Sequence, residues 1–279
     1  MPIPHLIIFG MARSGTSALG QVIQKTPGCA WLGESFNAGK AWIPAQHLNQ
    51  IIPELLASGA APPGTNPDNL NEWTRKNPPR FLEMSNSTLE RQGYKFMAAK
   101  ILWNQLPPGD LMKIFSGNEN GCNVVILRDP VATFISNRKA LITRKWNRFD
   151  YTTLRPSLSV EDWHSWLKGR ADFLGFLEKN MEMLSGVLSY EGLAPAGALE
   201  PERVRAGFEK IFTIPIQGES EPAFSKQDRQ STSRDRAGNW DELQRHFDNH
   251  GCLSDTLLAE SEIRRMSASN GNPRSSRKR

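Results

Sequence analysis

The chain has 279 residues, 38% of them hydrophobic. This suits one large α/β domain or two small ones and is too apolar for a generally disordered chain. Lys and Arg number 34 against 29 Asp and Glu, but part of the excess lies in the basic run at 274–279, so the charge does not indicate nucleic-acid binding. Cys29, Cys122 and Cys252 are far apart and form no CxxC pair, which gives neither a metal signature nor a disulfide framework.

The N-terminal segment predicts a strand, a loop and a helix. Residues 6–9 form a short apolar run that ends at Gly10, the pattern of a buried parallel strand. Apolar residues then recur at helical spacing over 19–23, until the Pro-Gly pair at 27–28 stops them.

The middle of the chain predicts an insertion followed by two strands. Residues 40–90 are rich in Pro, Asn and Gly, and we expect short helices and loops there, near the substrate. A strand lies within Tyr94 to Leu102, and the clearest strand of the chain is 123–127. Asp129 is a helix cap, with Pro130 at the first helical position. The helix that follows has four apolar residues on one side: Phe134, Ile135, Leu141 and Ile142.

The C-terminal half continues the alternation of helices and strands. Ser159 begins a helix whose tryptophans, Trp163 and Trp166, are expected in the core. A strand is predicted at 187–190 and a helix from Pro201. We therefore expect an α/β protein, with one domain over 1–265 and a central parallel sheet flanked by helices. The tail 266–279 is expected to be disordered.

Residues 10–17 have the spacing of a phosphate-binding loop between a strand and a helix. The backbone N–H groups of such a loop and the N-terminus of its helix bind anions. In nucleoside triphosphatases a Lys follows the second glycine. Here Thr16 follows Gly15, and the cation of the loop is Arg13, away from where it would bind the β- and γ-phosphates of ATP.

This loop resembles that of the sulfotransferases that use 3′-phosphoadenosine-5′-phosphosulfate (PAPS), in which Arg or Lys precedes Ser-Gly-Thr-Ser/Thr. The resemblance implies a P-loop-type domain in which Arg13 neutralises the bridging oxygen and the sulfuryl group. It also implies a 5′-phosphate site formed by loop residues, namely Ser14, Gly15, Thr16 and Ser17.

A second segment, 127–138, resembles the 3′-phosphate element of the same family. Arg128 follows the predicted strand and Ser136 lies on the following helix. A dianionic phosphate is well bound by a guanidinium group together with a hydroxyl donor. Because both elements occur in family order and at predicted strand ends, each supports the other.

Two shorter segments resemble the bacterial carbohydrate-type sulfotransferases, such as trehalose 2-sulfotransferase. Glu34, in a Gly-Glu segment after the first helix, corresponds to a residue that deprotonates the acceptor hydroxyl in several of these enzymes. Residues 100–105 resemble a Lys-x-x-Trp-Asn segment. Lys100 either faces the transferring sulfuryl group or only covers the sheet.

The segment 234–240 resembles a degraded form of the Arg-Lys-Gly-x-x-Gly-Asp-Trp loop that covers the 3′-phosphate in cytosolic sulfotransferases. It makes Arg234 and Arg236 candidate ligands of the nucleotide. It lacks the Arg-Lys-Gly opening and has Asn239 in place of Asp, and Arg229 is a competing cation.

Other candidate residues have weaker signals. His47 has no neighbouring carboxylate or motif, and His164 lies on a predicted helix, so we expect both to be structural rather than catalytic. Four tryptophans in the first half, Trp31, Trp42, Trp73 and Trp103, either pack in the core or form an aromatic wall for a ring-shaped substrate.

These patterns predict a sulfotransferase that transfers a sulfuryl group from PAPS to a hydroxyl of a carbohydrate or another small metabolite. We expect no metal and no nucleic-acid partner. Residues 1–5 lack the pattern of a signal peptide and no apolar run reaches the length of a membrane span, so a cytoplasmic location is expected. The alternatives are a P-loop kinase, which would need a Lys after Gly15, and a non-catalytic nucleotide-binding protein of the same fold.

Overall fold

A parallel five-stranded sheet forms the centre of the computed structural model, which describes residues 2–146, 149–209, 211–217, 233–250 and 261, without the side chains of 233–234 and 248–250. The strands are β1 (His5–Gly10), β2 (Cys29–Trp31), β3 (Phe96–Leu102), β4 (Cys122–Leu127) and β5 (Gly186–Ser189). Their order is β2-β3-β1-β4-β5, and each neighbouring pair is parallel. The fold is the expected α/β domain.

Helices connect these strands and cover both faces of the sheet. They are α1 (Thr16–Gln24), α2 (Ala45–Ala57), α3 (Leu70–Lys76), α4 (Pro78–Arg91), α5 (Pro108–Gly117), α6 (Pro130–Thr143), α7 (Val160–Lys179), α8 (Tyr190–Leu193), α9 (Pro201–Glu209), α10 (Ser233–Arg236) and α11 (Trp240–His250). Within the described residues, no helix is long and apolar enough to cross a membrane.

The alternation of side chains along β1 produces two cores. Ile7 and Phe9 face one core, shared with α2, α4, α5 and α7, whereas Leu6 and Ile8 face the other, shared with α1 and α9. The Phe9 ring meets the Phe115 ring edge to face, with centroids 5.1 Å apart. Both faces of the central strand are therefore buried, which explains its continuous apolar sequence.

The strand order places a change of direction at β1. From β1 the chain first crosses to β2 and β3 on one side, and then to β4 and β5 on the other. The carboxyl end of β1 thus lies at a topological switch point, where open α/β sheets bind their ligands.

Most of the predicted elements are confirmed. The predicted strands coincide with β1, β3, β4 and β5, although Tyr190 lies outside β5 as the first residue of α8. The Asp129 carboxylate caps α6 by accepting from Ala132 N at 2.7 Å, and the Ser159 hydroxyl caps α7 in the same way. Trp163 is fully buried, as expected for a core residue.

Three expectations need correction or completion. The three-residue strand β2 was not predicted, because it is too short to show a period. In the segment 40–90, α2 and α4 have 13 and 14 residues and contribute to the same core as the sheet. Leu141 and Ile142 do not join Phe134 and Ile135 in the core. They are 46% and 53% exposed, because the buried residues of α6 end at Ala140.

His5, at the start of β1, makes folding sensitive to acid. Burial lowers its pKa from 6.5 to about 4, and the Asn86 side chain offsets this in part. Between these two values the unfolded chain binds more protons than the folded chain, so stability falls as the pH falls through this range. We expect a loss of up to ~3 kcal/mol between pH 7 and pH 4 from this group.

Urea unfolding of His5→Asn across this range should show a flatter pH dependence than the parent protein. His164→Asn, which removes an exposed histidine, is the control for losing a histidine as such. Equal slopes for His5→Asn and the parent protein would contradict the assignment.

Candidate active site

A cavity of about 680 Å³ lies at the carboxyl ends of the strands. Every strand is followed by a residue that lines it. These residues are Arg13 after β1, Glu34 after β2, Asn104 after β3, Arg128 after β4 and Tyr190 after β5. The volume lies within the range typical of small-molecule sites, about 300–1,000 Å³.

The loop after β1 requires its glycines. Gly15 has φ 98°, and a Cβ atom there would lie 2.3 Å from the Tyr190 ring. A Cβ atom on Gly10 would lie 2.7 Å from the Ser14 hydroxyl oxygen, which itself donates to the Met11 carbonyl at 2.8 Å. Ser14 is therefore 2% exposed and holds the shape of the loop, whereas Gly15, Thr16 and Ser17 line the cavity.

The N-terminus of α1 points its backbone donors toward this cavity. Gly15 is the cap residue, in the left-handed conformation, and no side chain caps the helix. The first N–H groups of a helix have no partner within the helix and carry partial positive charge. Together with the hydroxyls of Thr16 and Ser17 they form a site suited to an anion.

The two segments that the sequence singled out meet through Arg13. Arg13 Nε donates to Ser136 Oγ at 3.0 Å, and Arg128 donates from a terminal guanidinium nitrogen to the Arg13 carbonyl at 2.9 Å. Arg13 also donates to the Trp146 carbonyl, and its guanidinium carbon lies 5.8 Å from the centre of the Tyr151 ring. Burial lowers the pKa of Arg13, and the nearby Arg128 contributes to this shift.

Both the side chain and the backbone of Arg128 are held in place. Its guanidinium carbon lies 4.5 Å from the centre of the Tyr190 ring. Arg170, on α7 and only 2% exposed, donates to the Arg128 carbonyl at 2.8 Å. Burial lowers the pKa of Arg128, with an opposing effect of Tyr190 and Glu191.

Glu34 and Lys100 form a buried ion pair in the same cavity. Lys100 Nζ lies 2.5 Å from Glu34 Oε1, and the two side chains are 6% and 16% exposed. Lys100 also donates to the Ser17 hydroxyl. Burial lowers the pKa of Lys100, whereas Glu34 raises it. Lys100 also lines the cavity.

Two amides fix the second oxygen of Glu34. Gln105 Nε2 donates to Glu34 Oε2 at 3.0 Å and Asn37 Nδ2 donates to the same oxygen at 3.2 Å. The side-chain oxygen of Gln105, Oε1, in turn accepts from Leu102 N at 2.9 Å, at the end of β3. The carboxylate is thus held by three side chains in a single orientation.

A closed backbone loop positions Glu34 beside Trp42. The two residues form an antiparallel bridge, with Glu34 N donating to the Trp42 carbonyl at 3.2 Å and Trp42 N donating back at 3.1 Å. Gly33 has φ 57°, and a Cβ atom there would lie 2.0 Å from the Trp42 oxygen. The Trp42 side chain is 62% exposed and lines the cavity.

The remaining candidates divide into those in the cavity and those elsewhere. Arg236 lines the cavity at 8% exposure, whereas the Arg234 side chain and all of Arg229 lie outside the described residues. Asn239 is bonded to the backbone of Leu158 in both directions, at 2.8 and 2.9 Å, so it braces the segment before α7.

The histidines and tryptophans also separate clearly. His47 is buried, with its ring 5.3 Å from that of Tyr94, and His164 contacts His246 on α11, so neither lies in the cavity. Trp31 and Trp42 line the cavity, and Trp73 and Trp103 pack in or against the core. Among the described residues, no group of three or more His, Cys, Asp or Glu side chains is placed to hold a metal ion.

Several residues at the site were not identified from the sequence. Trp146, Tyr151 and Tyr190 line the cavity, but none of them lies in a segment from which the sequence predicted a binding or catalytic residue. Arg170 had a usable signal, because it falls on the apolar face of α7 between Trp163 and Leu174, where a cation is unusual.

The chain resembles known proteins in sequence and in fold. The sequence model of the protein family described as "Sulfotransferase family" matches residues 4–194, more than half of the chain. The chain is similar to the crystal structure of a sulfotransferase from Alicyclobacillus acidocaldarius, with a TM-score of 0.54 and 13% identity over 95% of this chain and 97% of that one. A sulfotransferase domain from the curacin biosynthetic pathway aligns over 96% of this chain and 98% of that one, at 14% identity and a TM-score of 0.38. No curated protein matches the chain.

Gly33→Ala should destabilise the protein much more than Gly59→Ala. Both glycines have positive φ, 57° and 66°, but a Cβ atom meets the Trp42 oxygen at position 33 and nothing within 4 Å at position 59. Gly59→Ala should therefore cost only the left-handed conformation, about 1–2 kcal/mol, and Gly33→Ala about 1–3 kcal/mol more from the clash. Chemical denaturation of both variants measures the difference, and equal losses would mean that the Glu34–Trp42 bridge is not closely packed.

Proposed function

The chain belongs to the sulfotransferase family, and on this premise we propose that it transfers a sulfuryl group from PAPS to a hydroxyl of a small acceptor such as a carbohydrate. The observation that carries the proposal is the junction of the two anion-binding segments. The bonds from Arg13 to Ser136 and from Arg128 to the Arg13 carbonyl, at 3.0 and 2.9 Å, bring them to one cavity that also contains Glu34 and Lys100.

The charges of the cavity suit a donor with anionic groups at two ends. Among the described residues, four cations line it: Arg13, Lys100, Arg128 and Arg236. We assign the 3′-phosphate to Arg128 and Ser136, since a guanidinium group and a hydroxyl both donate to phosphate oxygens. We assign the 5′ end to the backbone of Gly15 and to the hydroxyls of Thr16 and Ser17, at the N-terminus of α1.

The transfer step needs a base for the acceptor hydroxyl. PAPS, when bound, would supply a sulfuryl group attached to its 5′-phosphate, and the bond between the sulfur and the phosphate oxygen would break in the transfer. A carboxylate has about four lone-pair positions, and Lys100, Gln105 and Asn37 occupy three on Glu34. One position therefore remains for the proton of an acceptor hydroxyl, and Glu34 takes that proton as the acceptor oxygen bonds to sulfur.

The negative charge that moves onto the leaving phosphate must be stabilised at the same time. Lys100 bridges Glu34 and Ser17, so its ammonium group lies between the proposed base and the proposed 5′-phosphate site. Arg13 lies in the loop 10–17, which also forms the proposed 5′-phosphate site. Fixed cations aimed at the developing charge lower the barrier of such in-line displacements.

Adenosine 3′,5′-bisphosphate, the expected by-product, should bind tightly in calorimetric titration, and Arg128→Ala should weaken it about 10- to 100-fold because a charged hydrogen-bond donor to phosphate is lost. Ser136→Ala should weaken it less. Arg91→Ala is the control, since Arg91 pairs with Glu54 on the surface, far from the residues that line the cavity. Binding of Mg-ATP with indifference to the bisphosphate would instead favour a phosphotransferase.

Glu34→Gln should lower turnover by about 10²–10⁴-fold, the usual contribution of a positioned general base. The amide keeps the shape of the side chain, so affinity for the bisphosphate should change little. Transfer of labelled sulfuryl from PAPS to a panel of sugars, phenols and alcohols measures the effect. Near-normal turnover of Glu34→Gln would remove Glu34 from the mechanism.

A further inference from the structure

An apolar surface lies beside the cavity, at the end of α6. In the described part of the chain, five large apolar side chains are more than a third exposed, and three of them fall within six consecutive residues. These are Leu141, Ile142 and Trp146, which are 46%, 53% and 42% exposed. We call residues 141–146 the α6 patch. Clustered exposure of this kind marks an interaction surface, whereas single exposed apolar residues do not.

The backbone under the α6 patch is fixed on its inner side. The Trp146 carbonyl accepts from Arg13, and the Lys145 carbonyl accepts from the Tyr151 hydroxyl. Tyr151 is fully buried, and its own carbonyl accepts from the buried Lys139 ammonium at 3.3 Å. The backbone of the patch is therefore held by Arg13 and by the buried Tyr151, and its apolar side chains remain at the surface.

Cations are placed between the apolar residues of the α6 patch. Arg144 and Lys145 are both exposed, and Arg144 ends the helix in the left-handed conformation, with φ 54°. The next described acid along the chain, Asp150, accepts through one carboxylate oxygen from Thr152 N at 2.9 Å. Exposed Leu, Ile and Trp side chains next to Arg and Lys match the boundary between lipid headgroups and acyl chains.

We propose that the α6 patch docks on the surface of an anionic lipid bilayer, which presents an amphiphilic hydroxyl acceptor to the cavity. Trp146 belongs to the patch and also lines the cavity, so an acceptor held in the bilayer reaches the site without leaving the surface. The choice of acceptor rests on the proposed function; docking itself does not.

A second copy of the chain fits this surface less well. Half-exposed side chains of this size offer on the order of 100 Å² each, and a stable dimer buries about 800 Å² on each partner. Two copies meeting through the same patch would also bring their Arg144 and Lys145 side chains together. A bilayer needs only a few inserted side chains and supplies the opposite charge.

Vesicle sedimentation tests the docking. The full chain should bind phosphatidylcholine vesicles that contain about 30% phosphatidylglycerol more tightly than pure phosphatidylcholine vesicles. Leu141→Ser/Ile142→Ser should lower the partition coefficient on the order of tenfold. Arg144→Gln/Lys145→Gln should remove most of the preference for the anionic lipid. Leu56→Ser, on α2, is the matched control, because Leu56 is 37% exposed and lies outside the patch.

The outcomes separate the docking from the proposed function. Adenosine 3′,5′-bisphosphate should bind Leu141→Ser/Ile142→Ser as it binds the parent protein, which shows that the variant is folded. Vesicle binding that is absent, or equal in this variant and the parent protein, overturns the docking. A change in oligomeric mass without a change in vesicle binding overturns it in favour of a protein interface. Vesicle binding without bisphosphate binding leaves the docking in place and removes the proposed function.

Discussion

The site depends on positive charge that the fold holds close together and partly away from water. Burial lowers the pKa of Arg13, Lys100 and Arg128, and cations in the cavity add to each shift: Arg128 acts on Arg13, Arg13 on Lys100, and Arg236 on Arg128. Keeping like charges together in one partly buried cavity costs free energy. The hydrogen bonds of these cations to carbonyls, hydroxyls and Glu34 offset this cost. A ligand with several negative charges relieves the same repulsion, so the folded chain is preorganised for one.

The sheet determines where these charges can be. Because all strands are parallel, their carboxyl ends share one edge, and a side chain that follows each strand reaches one cavity. Two glycines allow the close approach that this edge requires. Gly15 leaves room for the Tyr190 ring, and Gly33 leaves room for the Trp42 carbonyl. The shape of the cavity therefore depends on the backbone conformation at these glycines as well as on the charged side chains.

Local signals made part of this site predictable. The loop 10–17 is one short segment, and Arg128 and Ser136 lie in another. Each segment follows the end of a strand, so the spacing of its residues is visible in the sequence. The walls are different. Trp146 is bonded to Arg13, which lies 133 residues earlier, and Tyr151 contacts Arg13, Lys139 and Lys145, so no short motif marks either residue. Arg170 is marked in the sequence by its place on the apolar face of α7, but its partner, the Arg128 carbonyl, is visible only in the structure. Leu141 and Ile142 follow the helical period of α6, but among the described residues their side chains stay about half exposed.

Arg13 connects the charge of the site to its shape. It donates to Ser136 on α6 and to the Trp146 carbonyl in the α6 patch, while its own carbonyl accepts from Arg128. A change at Arg13 therefore alters the cavity wall and the loop 10–17 together with one charge, and its effect is not that of charge alone. Lys100 differs, because its ammonium group contacts Glu34 and Ser17 and neither the wall nor the backbone of the loop 10–17. A substitution at Lys100 thus removes a charge and one support of the Glu34 carboxylate, whereas a substitution at Arg13 also releases the Trp146 carbonyl and Ser136.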